Sequence, residues 1–247
     1  MVFKFFSKKS ALNSLAKIPD HIAIIMDGNA RYAKSKSLPI KVGHKIGSDN
    51  VQKIANNCIE IGVKYLTIYA FSSENWNRPK EEVDYLMSLL YEYLSKESQE
   101  LIDSGVKIVV SGNLNSVEEK LKNKIRQVEE LSKNNSKLTL SVAFSYGARQ
   151  EIVDAVKKIA IAVNNQEIII DNIDEDLFKK HLYHPEIPDP DLLIRTAGDL
   201  RISNFLLWQI AYTEFYFSEK FWPEFDKFEL IKAINNFNKR ERRYGKR

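Results

Sequence analysis

The 247-residue chain is 44% hydrophobic and 28% charged, with 37 Lys and Arg against 33 Asp and Glu, a net charge of +4. That length and balance fit one α/β domain with a sizeable core and exclude a disordered or collagen-like chain, and so small a net charge does not by itself point to nucleic acid. One cysteine, Cys58, rules out an internal disulfide, and no apolar run approaches the roughly 20 residues of a membrane helix, so a cytoplasmic protein is expected, with membrane-peripheral attachment as the variant.

Residues 1–17 mix Phe3, Phe5 and Phe6 with Lys4, Lys8, Lys9 and Lys17 but have no continuous apolar centre. They read as a basic N-terminal tail rather than a secretory signal, with weak attraction to an anionic membrane surface as the alternative to a merely frayed end. The domain itself is expected over 18–247. Its first element is the run Ile22-Ala23-Ile24-Ile25-Met26, too short for a membrane and rich in β-branched residues, hence a strand buried on both faces of a parallel sheet. It stops abruptly at Asp27-Gly28-Asn29. Gly28 and Asn29 both tolerate positive φ, and the residues after them can open a helix whose free amides attract an anion. Asp27 beside a phosphate would require a cation between them, which suggests Mg²⁺.

A helix follows over 43–61, stopped by Gly62, then a second buried strand over 64–71. A polar loop from Ser72 to Pro79 leads into a long helix over 81–103, whose wide apolar stripe either packs the core or lines a greasy channel. Strands are expected at 106–111, 138–144, 191–196 and 213–217, and helices at 117–131, 150–164, 174–182, 205–211 and 228–242. This alternation is the mark of βαβ units, so the expected fold is a single α/β domain. It has a central, mostly parallel sheet of about six strands flanked by helices, with an apolar tunnel under the strand carboxyl ends.

Parallel strands would gather Asp27, Asn29, Arg31, Ser72, Asn75, Arg78, Arg195, Arg201, Ser203 and Glu214 at one sheet edge, where open α/β sheets bind ligands. Four arginines there make an anion-seeking pocket, since the guanidinium fork grips phosphate oxygens in pairs. Neither a P-loop nor a Gly-x-Gly-x-x-Gly turn is present, which disfavours a nucleotide. His181 and His184, three apart, have no partner at zinc spacing, whereas His44 after Gly43 at a helix start could donate to a phosphate.

Four segments resemble the cis-prenyltransferase family: Met26-Asp27-Gly28-Asn29-Ala30-Arg31, Ala70 through Pro79, Asp191 through Thr196, and Arg201 through Gln209. The resemblance spans about residues 18–245 and is nearest to the bacterial undecaprenyl diphosphate synthases. It implies successive condensation of isopentenyl diphosphate onto an allylic diphosphate such as farnesyl diphosphate, with each new double bond cis, Mg²⁺ required, and a homodimer. By that resemblance Asp27 is the catalytic and metal-binding aspartate, Asn75 is tied to proton removal, and Glu214 is a metal ligand near or across the dimer interface. Gly28, Asn29, Ala30, Arg31, Tyr32, His44 and Arg78 fall to the allylic diphosphate cradle. Ser72, Ser73, Glu74 and Trp76 lie in the substrate-binding motif, while Arg195, Arg201, Ile202 and Ser203 grip the second diphosphate. Arg243-Tyr244-Gly245 resembles a carboxyl-terminal element that reaches the neighbouring subunit.

The chain departs from the family pattern at Ala30 for Gly, Tyr32 for Trp, Ser145 for Asn, Asp199 for Glu and Ile40 for a diphosphate-binding Arg. Lys41 stands one position along as a substitute. A positive φ at Ala30 would strain the loop by about 1–2 kcal/mol. Two other readings remain: a non-catalytic subunit of this fold, which retention of Asp27 and the arginines opposes, and an RNA-binding module, suggested only by the basic run from Lys239 to Arg243.

Overall fold

The computed structural model describes residues 16–240. The basic tail, apart from Ala16 and Lys17, and the Arg243-Tyr244-Gly245 element lie outside them. Six strands form one sheet: His21–Ile25 (β1), Tyr65–Ser72 (β2), Val106–Ser111 (β3), Leu138–Tyr146 (β4), Leu192–Arg195 (β5) and Glu214–Phe217 (β6). Their order is β3-β4-β2-β1-β5-β6, and every pairing is parallel, with Ile24 between Ile68 and Ile194 at the centre. All five residues of β1 are buried, as its unbroken apolar run requires in a strand covered on both faces. From β1 the chain turns to β2 on one side, while β5 occupies the other. The loops leaving β1 and β5 therefore part, and the crevice between them is where such sheets bind ligands.

Eight α-helices flank the sheet among the described residues: Asn29–Ser35 (α1), Ile40–Ile61 (α2), Lys80–Glu92 (α3), Ser98–Asp103 (α4), Glu119–Ser132 (α5), Ala148–Asn164 (α6), Glu175–Lys179 (α7) and Lys227–Asn238 (α8). Several boundaries differ from the sequence expectation for identifiable reasons. α2 begins at Ile40 because Pro39 presets the helix entry, and Gly62 ends it in the left-handed conformation. The helix expected over 81–103 is interrupted by a π-helical turn, Tyr93–Glu97, between α3 and α4. The helix expected over 174–182 shortens to α7, capped by the Asp174 carboxylate accepting from the Leu177 N–H at 2.8 Å. No helix forms over 205–211, because Ser203, Asn204 and Leu206 all have φ between 47° and 62°, which a right-handed helix cannot accommodate.

The larger core lies between the sheet and α2, α3, α5 and α8, and a smaller one under β1, β4 and β5 includes Tyr69, Tyr146 and Phe205. No helix is long and apolar enough to cross a membrane among the described residues.

Candidate active site

Asp27 sits two residues beyond β1, and its backbone is fixed from three directions. Its N–H donates to the Ile25 carbonyl at 3.0 Å, and its own carbonyl accepts from the Trp222 N–H at 3.0 Å and the Thr196 hydroxyl at 2.7 Å. Gly28 then turns the chain at φ 103°; a Cβ there would lie 2.8 Å from Phe221 and 2.9 Å from the Ala197 side chain, so conformation and space both demand glycine. α1 starts at the next residue. Ala30 therefore has ordinary helical geometry and carries none of the strain that a positive φ would impose, and Asn29 likewise stays at negative φ.

The Asp27 carboxylate meets Arg195 Nη2 at 2.8 Å and Arg31 Nη2 at 3.0 Å. Arg195, at the end of β5, is 3% exposed, and its other terminal nitrogen donates to the Ser203 hydroxyl at 2.8 Å and to the Arg201 carbonyl. Asp199 lies between three guanidinium groups, at 2.8 Å from Arg31, 2.9 Å from Arg201 and 3.8 Å from Arg195. Burial acts to raise the Asp199 carboxyl, but its hydrogen bonding with Asp27, Arg201 and Arg31 outweighs that and holds it below the usual carboxylate value. Arg78 pairs with Glu82 at 2.8 Å, and His44 stands 3.6 Å from the same carboxylate. Burial lowers the His44 pKa against the pull of Glu82, so the ring is neutral at neutral pH. The four arginines expected to seek anions are thus held by Asp27, Asp199 and Glu82, fixed in place with most of their charge already balanced.

Asp27, Asn29, His44, Ser72, Asn75, Arg78, Arg195, Arg201 and Ser203 line one polar cavity. The loop after β2 is built by reciprocal capping: the Ser72 N–H donates to Asn75 Oδ1 at 3.0 Å. Glu74 faces the neighbouring loop instead, its carboxylate accepting from Asn204 at 2.8 Å and from the Ser73 hydroxyl at 3.1 Å. Trp76 turns inward, with its indole N–H on the Ser145 hydroxyl at 3.0 Å and its ring edge-on to Phe71. Tyr32 lies outside the cavity under the Lys36 ammonium, and Ile202 packs on the smaller core. Ile40 is exposed, and the Lys41 ammonium rests over the Tyr85 ring, 5.2 Å from its centroid.

One expected member is elsewhere. Glu214 opens β6 opposite Leu192, at the amino end of the sheet, about 10 Å below Arg195 along the strand direction. A carboxylate at the start of a strand cannot share the rim formed by strand ends; within this chain it pairs with Arg240 at 2.6 Å. Two further contributors were not apparent from spacing. Asp199, in sequence only a departure from the family pattern, holds three arginines. Tyr69 lines the cavity and donates from its hydroxyl to the Tyr146 carbonyl at 3.0 Å and the Ser203 carbonyl at 3.3 Å, tying down the strained Ser203 turn.

Beneath the polar rim opens an apolar cavity, with Met26, Asn29, His44, Ala70 and Leu86 common to both. A register shift between Tyr69 and Phe71 exposes Ala70 there, a bulge that puts a small side chain where a larger one would close the passage.

A fixed set of guanidinium groups and one aspartate above an apolar hollow, at the switch point of a parallel sheet, defines an enzyme for substrates that join a phosphate head to a hydrocarbon tail. Residues 25–245 match the prenyltransferase family model described as "Putative undecaprenyl diphosphate synthase". Isoprenyl transferases of Fusobacterium nucleatum and Rickettsia bellii are 52% and 51% identical, each over 92% of this chain and over 96% and 98% of their own. The lavandulyl diphosphate synthase of Lavandula x intermedia, solved in complex with dimethylallyl diphosphate, superposes with a TM-score of 0.90 at 38% identity, covering 92% of this chain and 98% of that one. A probable undecaprenyl diphosphate synthase from Campylobacter jejuni gives 0.78 at 34% identity, over 93% and 100%. The chain belongs to the undecaprenyl diphosphate synthase family and is a cis-prenyltransferase.

Proposed function

We propose that the protein condenses isopentenyl diphosphate repeatedly with an allylic diphosphate, farnesyl diphosphate being the expected primer. The product is a cis-polyprenyl diphosphate of the undecaprenyl type, a carrier-lipid precursor for cell-wall synthesis, made by a homodimer in the cytoplasm or at the membrane surface. The observation that carries this reading is the juxtaposition of the Asp27, Arg31, Arg195, Asp199 and Arg201 cluster with the apolar cavity through a shared mouth. The allylic diphosphate bound by the lavandulyl diphosphate synthase supports the class of primer.

In each cycle the allylic carbon–oxygen bond breaks, the double bond of isopentenyl diphosphate forms the new carbon–carbon bond at that carbon, and one proton is lost. Charge develops on the departing diphosphate, where the α1 amides and Arg31, exchanging its bonds to Asp27 and Asp199, serve as donors. Arg195, Arg201 and Ser203 hold the second diphosphate. Its phosphates compete with Asp27 and Asp199 for guanidinium groups already aimed at the cavity. Asn75 uses its side-chain oxygen on the Ser72 N–H, which leaves its NH₂ as a donor. It therefore orients the proton's acceptor, a water or the released diphosphate, and does not take the proton itself.

Among the described residues no three His, Cys, Asp or Glu side chains form a ready cation cage. The Asp27 carboxylate, partly exposed at the polar cavity with Asp199 beside it, suits Mg²⁺, which is commonly held by one or two carboxylates plus substrate phosphates. Asp27 would hold it, with Glu214 of a second subunit as the further ligand, and the bound ion would neutralise leaving-group charge. The test is incubation with farnesyl diphosphate, labelled isopentenyl diphosphate and Mg²⁺. Label should appear in extractable lipid of discrete length, and its absence with every allylic primer would overturn the reading.

A further inference from the structure

The apolar cavity contains a polar atom that prenyl transfer does not use. Tyr93 opens the π-helical turn after α3, is 7% exposed, lines the cavity, and its buried hydroxyl has no hydrogen-bond partner in the protein. Asn29 Oδ1 and His44 Nε2 are also unpartnered, but those two residues also line the polar cavity, where diphosphates are the expected ligands. Tyr93 is different. It lies seven residues beyond Leu86, which lines both cavities, and two helical turns carry it about 10 Å deeper. On the opposite wall the cavity reaches the paired residues Ile108 and Leu140, whereas the next pair toward the strand starts, Val106 and Leu138, is buried in the core and does not line it. The phenol therefore stands near the floor. Burial, with Glu97 and Asp49 adding to it, pushes its pKa up, so the group is a neutral donor and not a phenolate.

We propose that the Tyr93 hydroxyl sets the length of hydrocarbon that this cavity accepts, acting as a polar stop near its floor; the inference rests on the prenyl-transfer reading. A phenol with no protein partner takes its hydrogen bond from water, and an advancing apolar tail must displace that water. Each methylene newly buried strengthens binding about fourfold. Leaving the hydroxyl unsatisfied costs roughly five- to 150-fold. The loss cancels about one to four methylenes, part of what one added five-carbon unit would contribute. A chain whose end has reached Tyr93 thus gains much less from its next unit than from each earlier one, and the balance shifts toward release.

The test uses saturated n-alkyl phosphates of increasing length, bound to the full-length protein and followed by tryptophan fluorescence, since Trp222 lines the cavity. In the unaltered protein Kd should fall about fourfold per methylene, level off for one to four methylenes, and then end. In Tyr93→Phe, which removes only the hydroxyl, the fall should continue through that plateau. With farnesyl diphosphate, isopentenyl diphosphate and Mg²⁺, the same variant should give products longer by about one unit. Identical length dependence in the two proteins would overturn the proposal. So would a shift seen only with Tyr93→Ala, because ring bulk and not the hydroxyl would then be the limit. A plateau that moves in Tyr93→Phe while no lipid is made would refute the prenyl-transfer reading and leave the polar stop standing.

Discussion

Asp27 holds two arginines while presenting a carboxylate to the cavity, so its removal has separable consequences for chemistry and for the fold. Arg195 has a side chain only 4% exposed, and without Asp27 its nearest carboxylate would be Asp199 at 3.8 Å. Stripping the partner from a buried charge is strongly destabilising, and the surviving Asp199 contact moderates that to about 1–3 kcal/mol. Asp27→Ala should therefore lower the denaturation midpoint and reduce turnover by about 10³-fold or more. Asp27→Asn, whose amide oxygen still accepts from Arg195, should recover most of the stability without the turnover. Denaturant titration and a lipid-product assay on both variants make the comparison; a near-normal rate in either would remove Asp27 from its assigned role. Asp27 and Arg195 could be placed at one site from sequence because each directly follows or ends an apolar run, a local property, and Arg201 lies in the loop onto which the second run opens. The sequence did not reveal that Asp199 joins three guanidinium groups, since the Arg31 contact brings together α1 and the loop after β5, 168 residues apart.

His21 shows what one strand contributes to the pH dependence of the whole. At the start of β1 its ring is buried, with Nδ1 donating to the Pro188 carbonyl at 2.6 Å and Nε2 accepting from the Thr67 hydroxyl at 2.8 Å, which fixes a neutral tautomer. Burial lowers its pKa from 6.5 to about 4 despite the Pro188 bond and the nearby Asp191 and Asp189. Between those values the unfolded chain binds a proton that the native state refuses, so stability rises with pH across this window and is lost on acidification. The loss from pH 7 to pH 4 should approach 3 kcal/mol. Denaturant midpoints measured across that range should fall steeply for the unaltered protein and less for His21→Asn; parallel profiles would assign the acid sensitivity elsewhere. Strands were the elements best read from sequence, because burial on both faces leaves an unbroken apolar run. The helix expected over 205–211 does not form, because non-glycine residues at positive φ, such as Leu206, leave no mark in composition. The π-helical turn was equally silent, although Tyr93, which lines the apolar cavity, opens it.

At the scale of the whole molecule, one chain brings the expected cluster together at the rim except for Glu214. Glu214 lies at the wrong end of the sheet for its own Asp27, yet β6 is an edge strand, so Glu214 is placed where another subunit can approach. If the family's homodimer brings Glu214 of one chain to Asp27 of the other, neither chain has a complete site alone. A two-fold interface then makes two equivalent composite sites. Asp27→Ala and Glu214→Ala chains would each be inactive as homodimers. A mixed dimer would contain one site with both residues intact and one with neither. Random re-pairing of equal amounts makes half the dimers mixed, so about a quarter of wild-type activity should return on co-refolding. Pairing of Glu214 with its own chain's Asp27 predicts no recovery at all, because each chain would then carry its own defect. The comparison requires only that exchange be verified, by tagging one variant and recovering the other with it. A mixed population that exchanges fully and stays inactive would place Glu214 outside the composite site and leave its ion pair with Arg240 as a contact that anchors α8 to the sheet edge.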